Sequence, residues 1–349
     1  MESRKFNVEP LMWEKQDNSY VKCSICHNRC LISPGSTSRC TSRLNVDGEM
    51  ELNTFGLISS LAADPIEKKP LYHFHPGTKV FSVGGWGCNF TCLHCQNWQI
   101  SQPTKKEEEI LLRQGMGIGG YCVSPQELVE LIEKNDCQGL SWTYNEPSTW
   151  LEYTIESGKL AKEKGYYTAY VTNGYITPEA LDTIAPYLDA FRVDLKSFSD
   201  EFYTHVCGIK NWWGIYETTE HAKNLGLHIE VVTNIIPTQN DSEENLRKIA
   251  HWIANNLGED TPWHVTRFFP YNKLEHLPPT PIEKINRAVE IGKEEGLNFI
   301  YKGNVGEKSI TKCPRCGTTA IERTAIVQVN TTPSGQCTVC SRDLNIDIT

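Results

Sequence analysis

The sequence predicts an α/β fold: a parallel β-sheet wound into either a doubly wound sheet or a full or partial barrel, with a small cysteine-bearing module at each end. Three observations predict it. Short β-branched and aromatic runs alternate with amphipathic stretches through the middle of the chain, the pattern of repeated β-α units. Helix-start signatures follow many of the turns. The cysteines gather at the two ends and in one loop between them, outside the alternating region.

The elements follow in order. "KVFSVGG" is an apolar strand just before a cysteine loop. "SPQELVELIEKN" is a helix: Ser124 caps it, Pro125 takes the first position and Glu127 completes a capping box. "GLSWTY" is a strand, and "TWLEYTIESGKLAKEKG" a helix stopped by Gly165. "YTAYVTNG" is a strand, "TPEALDTIAPYL" a helix, "DAFRVDLK" a strand, "IYETTEHAKNLG" a helix and "HIEVVTNIIP" a strand. "DSEENLRKIAHWIANNLG" opens with a second capping box, Asp241 to Glu244. "WHVTRFFP" is a strand, "TPIEKINRAVEIGKEEG" a helix and "NFIYKGN" a last strand. Right-handed crossovers wind such units into a sheet or barrel, and periodicity does not separate the two. In both, ligands sit at the C-terminal strand ends. The polar residues expected there are Tyr144-Asn145-Glu146-Pro147, Thr172-Asn173-Gly174, Asp194 and Lys196, Asn234, and Arg267. The stretch "KKEEEILLRQGMGIGG" (105–120) reads as a solvated, mobile insertion, with a lid as the sharper alternative. Domain boundaries are expected at 1–75, 76–305 and 306–349.

The chain has 349 residues, a net charge of −9 and no long basic run, so a broad nucleic-acid footprint is not expected. No apolar run approaches the roughly 18 residues of a membrane span, and the first residues lack a signal core. A cytoplasmic protein is expected. There thiols stay reduced, and clustered cysteines bind metal more often than they form disulfides.

The 14 cysteines fall into three groups and a remainder. Cys313, Cys316, Cys337 and Cys340 form two CxxC knuckles, a closed tetrahedral set that suits structural zinc, with a rubredoxin-like iron as the competing occupant. Cys23, Cys26, Cys30 and Cys40 are a second set of four, suited to zinc or an auxiliary iron–sulfur cluster, with His27 able to replace one thiolate. Cys122, Cys137 and Cys207 stand alone and read as buried small hydrophobes. The middle loop, "GCNFTCLHCQ", has only three: Cys88, Cys92 and Cys95. A [4Fe–4S] cluster takes four thiolates. With three, one iron is left open for a small molecule. The competing reading is a zinc site completed by His94.

This loop resembles the CxxxCxxC signature of radical S-adenosylmethionine (SAM) enzymes. With "DPIEKKPLYHFHPGTKVFSVGGWGCNF", "SWTYNEP", "VTNGY", "DAFRVDLK", "PWHVTRFFP" and the terminal knuckles, the chain is similar to the radical SAM enzyme of the AmmeMemoRadiSam system, a family close to the pyruvate formate-lyase activating enzymes. The resemblance implies a partial (β/α)6 barrel. It also implies SAM chelated to the open iron, reductive cleavage to a 5′-deoxyadenosyl radical, and hydrogen abstraction from a substrate. Glu146 and Pro147 match the end of a Gly-Gly-Glu-Pro motif that meets the SAM amino group, with Tyr144 and Asn145 in place of the glycines. Thr172 and Asn173 match a motif near the SAM carboxylate. Lys196 matches the lysine that meets that carboxylate, and Asp194 the aspartate that helps hold a monovalent cation. Val171 stands where the activating enzymes have an acid. His94, planar and titratable, stands where an aromatic residue packs by adenine. Simpler roles stay open: an Asp194–Lys196 ion pair, a turn at Asn173-Gly174, a helix cap at Glu146. His264 and Arg267 are the candidates for a catalytic role at the barrel mouth, and Trp212-Trp213 reads as core or rim.

The resemblance further implies a protein substrate, a Memo-like partner and a reducing electron donor. The alternatives are a radical SAM protein methyltransferase, for which no cobalamin-binding signature is visible, and a non-catalytic zinc or iron–sulfur binding protein.

Overall fold

The apolar runs of the middle region become strands of one sheet. In the computed structural model, which describes residues 6, 8–104 and 121–348, they are β1 (Lys79–Gly84), β2 (Gly139–Trp142), β3 (Tyr167–Thr172), β4 (Ala190–Asp194), β5 (His228–Ile235), β6 (Trp263–Arg267) and β7 (Ile300–Gly303). Each pairs in parallel with the next. The order never reverses, so the sheet has no switch point and is not doubly wound. Ser60–Pro65 adds an antiparallel edge beside β1, and that edge does not pair with β7. The barrel is therefore open. Among the described residues, six helices of seven residues or more follow the first six strands: α1 (Pro125–Lys134), α2 (Leu151–Glu163), α3 (Pro178–Ile184), α4 (Trp213–Asn224), α5 (Glu243–Trp252) and α6 (Ile282–Glu294). This is the expected six-unit partial barrel, with a seventh parallel strand at its edge. Strands β1 to β6 are largely buried on both faces, as parallel strands flanked by helices must be, while the edge strands are only partly so.

Local signals placed most helix starts. Ser124 and Glu127 form their reciprocal box, and Thr177 accepts from Ala180 N at 3.3 Å. The expected box at Asp241 is shifted by one residue. Ser242 is the cap and accepts from Asn245 N at 3.3 Å, while the Asp241 carboxylate accepts from Thr238 N at 3.0 Å in the preceding turn. The helix expected from Thr149 opens with a 3-10 turn, Pro147–Trp150, before α2 begins. Gly165 follows α2 at φ +80°.

The N-terminal module has a three-stranded antiparallel sheet (Trp13–Lys15, Val21–Cys23, Leu31–Ile32) and a hairpin (Arg43–Val46, Glu49–Leu52). It is locked to α2 by a fully buried two-pronged ion pair, Arg43 to Glu152 at 2.7 and 2.8 Å. The C-terminal module is a three-stranded sheet (Ser309–Lys312, Thr319–Arg323, Val327–Val329) whose small core joins Phe299 and Tyr301 of the barrel to Ile321 and Leu344. His73 ties it to the barrel: Nδ1 lies 3.0 Å from Leu344 O and Nε2 2.6 Å from the Tyr301 hydroxyl. Among the described residues, no helix is long and apolar enough to cross a membrane. The stretch 105–120 lies outside the described residues.

Candidate active site

The C-terminal ends of β1 to β6 converge on a cavity of about 450 Å³. β1 delivers the chain into it at Gly84, and the loop carrying Cys88, Cys92 and Cys95 forms one wall. Backbone bonds fix this loop from outside. Thr91 N donates to Cys207 O at 3.0 Å and Leu93 N to Val206 O at 2.9 Å. Asn145 holds it from the β2 end, donating to Gly87 O at 2.8 Å and accepting from Gly85 N at 3.1 Å. Gly87 has φ +82°, and a Cβ there would stand 1.9 Å from Cys40 O, so only glycine lets the loop pass.

Behind the loop lies a chain of hydrogen bonds. Asn173 Nδ2 donates to Asn89 Oδ1 at 2.7 Å, and Asn173 N donates to Glu146 Oε2 at 2.8 Å. Thr172 Oγ1 donates to Glu146 Oε1 at 2.8 Å. The ends of β2 and β3 and the cysteine loop are thereby one unit. Glu146 also accepts from Ser148 N at 3.1 Å, so it caps the turn that follows as well as lining the cavity. Burial pushes its carboxyl upward against these donors. Tyr144, where the family motif has glycine, adopts φ +72°, the conformation a glycine takes at least cost. Its ring stacks with the Lys69 ammonium, 4.9 Å from the centroid.

The opposite wall is charged. Asp194 at the end of β4 lies between two cations: Lys196 Nζ at 2.7 Å from Oδ2, and Arg192 Nη1 at Oδ1. Burial opposes ionisation, yet Arg192 and Lys196 hold the Asp194 carboxyl down at about 2. Asp194 in turn keeps the Lys196 ammonium well above its usual range, against burial. The triad carries one net positive charge and faces the thiols. The ion pair expected as the simpler role of Asp194 and Lys196 is present, and the surplus cation suits a carboxylate-bearing ligand. The donor set does not fit a monovalent cation, because both Asp194 oxygens already meet cations and Val171 supplies no charge.

His94 is buried on the cavity wall. Burial first, and Lys196 second, push its imidazole down to about 3, so the titration expected from sequence is moved far below neutrality. Its Nδ1, Arg192 Nε and Asn234 Oδ1 are buried without partners, all in residues lining the cavity. Such atoms are costly unless something polar meets them, and a ligand rich in amine, carboxylate and purine nitrogens would do so.

The three thiols fit an iron–sulfur cluster better than one ion. Cys88, Cys92 and Cys95 act electrostatically on one another, yet no three metal-ligating atoms here gather within 4.8 Å. A single zinc completed by His94 needs such a gathering; thiolates on separate irons do not. Burial, then the Glu146 carboxylate, pushes the Cys88 thiol well up, so it ionises only against a compensating positive centre. By contrast, Cys313, Cys316, Cys337 and Cys340 all lie within 4.8 Å, the geometry of one tetrahedral ion.

Two expected residues stand elsewhere. His264 is buried with Nε2 at 2.7 Å from Glu230 Oε2, and Arg267 Nε donates to Thr280 O at 2.7 Å; neither lines the cavity. Trp212 and Trp213 stack on Tyr203 and Tyr216 outside it. Arg192 and Lys69 were not anticipated as site residues. Arg192 was within reach, since it sits two residues before Asp194 on the same strand face. Lys69 lies in the segment "DPIEKKPLYHFHPGTKVFSVGGWGCNF", in which nothing local marks one residue as reaching the cavity.

The Radical SAM superfamily model matches residues 83–253. An uncharacterized protein of Methanocaldococcus jannaschii is 39% identical over 97% of this chain and 99% of its own. The pyruvate formate-lyase-activating enzyme of Clostridium pasteurianum is 27% identical over 54% of this chain and 76% of its own. A domain of the Bacteroides vulgatus pyruvate-formate lyase-activating enzyme superposes with a TM-score of 0.42 at 19% identity, covering 48% of this chain and 99% of that domain. On the family match and the activating enzymes among its sequence relatives, the chain belongs to the radical SAM superfamily as an enzyme related to the pyruvate formate-lyase activating enzymes.

Proposed function

We propose that this protein binds SAM at a [4Fe–4S] cluster held by Cys88, Cys92 and Cys95, cleaves it reductively, and takes a hydrogen atom from a protein substrate. The observation that carries the reading is the pairing, across one cavity, of three spaced thiols with a surplus cation and three unpartnered polar atoms. When bound, the cluster supplies one electron and an open iron, and with SAM generates the 5′-deoxyadenosyl radical. The chain's own residues do the rest. Lys196 and Arg192 neutralise the SAM carboxylate. Glu146, Thr172 and Asn173 hold the loop at a fixed distance from the β2 and β3 ends. His94, neutral near pH 7, offers a flat face and an unprotonated nitrogen beside the cysteines. Burial of the wall keeps water from a reactive radical.

The protein substrate rests on the activating-enzyme relatives, and a Memo-like partner rests on the resemblance alone. Zinc at the C-terminal thiols, an external electron donor, a cytoplasmic setting and the boundaries 1–75, 76–305 and 306–349 complete the proposal. The edge strand Ser60–Pro65 belongs to the barrel sheet although it precedes the first boundary.

The test is anaerobic reconstitution followed by reduction with dithionite in the presence of SAM. We expect 5′-deoxyadenosine release, abolished in Cys88→Ala, Cys92→Ala and Cys95→Ala while circular dichroism stays native-like. Continued SAM cleavage by those variants would sink the proposal.

A further inference from the structure

The chain carries three sets of thiols, and their spacing divides them into two kinds. The C-terminal four are drawn together, with Cys313–Cys340 at 3.5 Å and Cys316–Cys337 at 3.6 Å. An ion with sulfur ligands at about 2.3 Å holds them roughly 3.8 Å apart. The central three are neighbours without being drawn together. The N-terminal four follow the central pattern. Cys23, Cys26, Cys30 and Cys40 each lie within electrostatic reach of the other three. Yet no three of them gather within 4.8 Å.

The surroundings close the set. Cys23 ends the strand Val21–Cys23, and its N–H donates to Cys30 O at 3.0 Å across the turn that carries Cys26. Cys40 comes from a separate turn, where Thr41 N donates to Ser38 O at 2.9 Å. Both ring nitrogens of His27 face other partners, Nε2 at 3.2 Å from Thr218 Oγ1 on α4 and Nδ1 at 3.5 Å from Asn211 Nδ2, so it is not aimed at the thiols. The module also abuts the central loop. Cys40 O packs on Gly87, Asn28 Nδ2 donates to Asn89 O at 2.9 Å, and Arg39 Nη2 donates to Thr91 Oγ1 at 3.1 Å.

We infer that Cys23, Cys26, Cys30 and Cys40 hold a second [4Fe–4S] cluster, closed by four protein thiolates and packed against the loop of the first. Thiolates on four separate irons stand apart, whereas a single tetrahedral ion needs them drawn in as the C-terminal four are. A closed cluster has no open iron and leaves SAM to the central loop. The comparison rests on the proposed reading of that loop, so the experiment scores the two sites separately.

Full-length protein is reconstituted anaerobically with iron and sulfide, and iron, zinc and the Mössbauer spectrum are measured. The wild type is expected to hold about eight irons per chain, all in four-iron clusters. Cys26→Ser/Cys30→Ser should halve that count, and Cys88→Ala/Cys92→Ala/Cys95→Ala should also leave about four irons. If the double variant keeps the wild-type iron, or if the triple variant holds none, the inference is overturned. If instead the triple variant keeps all the wild-type iron, the N-terminal cluster stands and the central reading falls. Should the double variant unfold by circular dichroism, the triple variant alone decides: about four retained irons support the inference and none overturns it.

Discussion

Lys196 does two jobs that one substitution can separate. It balances Asp194, and it leaves the wall with a surplus positive charge toward the cavity. Lys196→Ala is expected to weaken SAM binding by the worth of one charge-assisted contact, roughly 1.5–3 kcal/mol or about 10- to 150-fold in dissociation constant, measured by calorimetry on reconstituted protein. The iron content should stay at the wild-type value. An unchanged dissociation constant would confine the lysine to its ion pair. The sequence showed Asp194 and Lys196 as candidates, because they are polar residues at a strand end and match the family motif, but not Arg192's part in the same triad. It also left open whether His94 titrates. Only its burial beside Lys196 shows that it stays neutral near pH 7.

At the scale of elements, caps and glycines set where the cavity wall begins. Ser242 caps α5, and Ser242→Ala should cost about 1 kcal/mol in urea unfolding. Glu244, which the sequence pattern paired with Asp241, is exposed and forms a surface ion pair with Lys248, so Glu244→Ala should change the midpoint far less. An equal effect of both would restore the shifted capping box. Gly87→Ala tests the loop. The new methyl meets the Cys40 carbonyl at 1.9 Å in a left-handed backbone, so one of two thiol-bearing segments must move. Lower iron retention after reconstitution is expected, and wild-type retention would show that the contact is slack.

At the scale of the whole molecule, His73 links the barrel to the C-terminal module and makes their union sensitive to acid. The ring is fully buried, with Tyr301 and Leu344 as partners. Burial pushes its imidazole down to about 3. Between that value and the unfolded value near 6.5, the unfolded chain binds the extra proton. Stability is therefore full above pH 6.5 and falls as the pH drops, by about 1.4 kcal/mol per unit from this residue. His73→Gln should remove that share of the slope in denaturant titrations between pH 6 and pH 4. A slope unchanged by the substitution would assign the acid sensitivity to other groups. The C-terminal thiols hold the other end of the module: Cys313→Ala or Cys337→Ala should release its metal and disorder that sheet, while the barrel core persists, as read by metal content and proteolysis.

The sequence by itself determined the strands, most helix starts and the three cysteine sets, because each rests on local physics: an apolar period, a capping oxygen, a loop-borne thiol triplet. The strand-end residues were legible for the same reason, since a turn-forming polar residue after an apolar run marks a strand end wherever the strand lies. What only the tertiary structure decided were relations between distant segments. The sequential strand order that separates an open barrel from a doubly wound sheet is one, because periodicity carries no pairing partner. The removal of His264 and Arg267 from the cavity is another: His264 turns to Glu230 on β5, and Arg267 to Thr280 before α6. The Asp241 cap failed because Thr238, three residues upstream, competes for the carboxylate. The C-terminal CxxC pairs already suited one tetrahedral ion by their spacing, whereas the N-terminal spacing left zinc and a cluster open, and only the folded positions of the sulfurs bear on that choice: the C-terminal four lie within 4.8 Å of one another, and no three of the N-terminal four gather so closely.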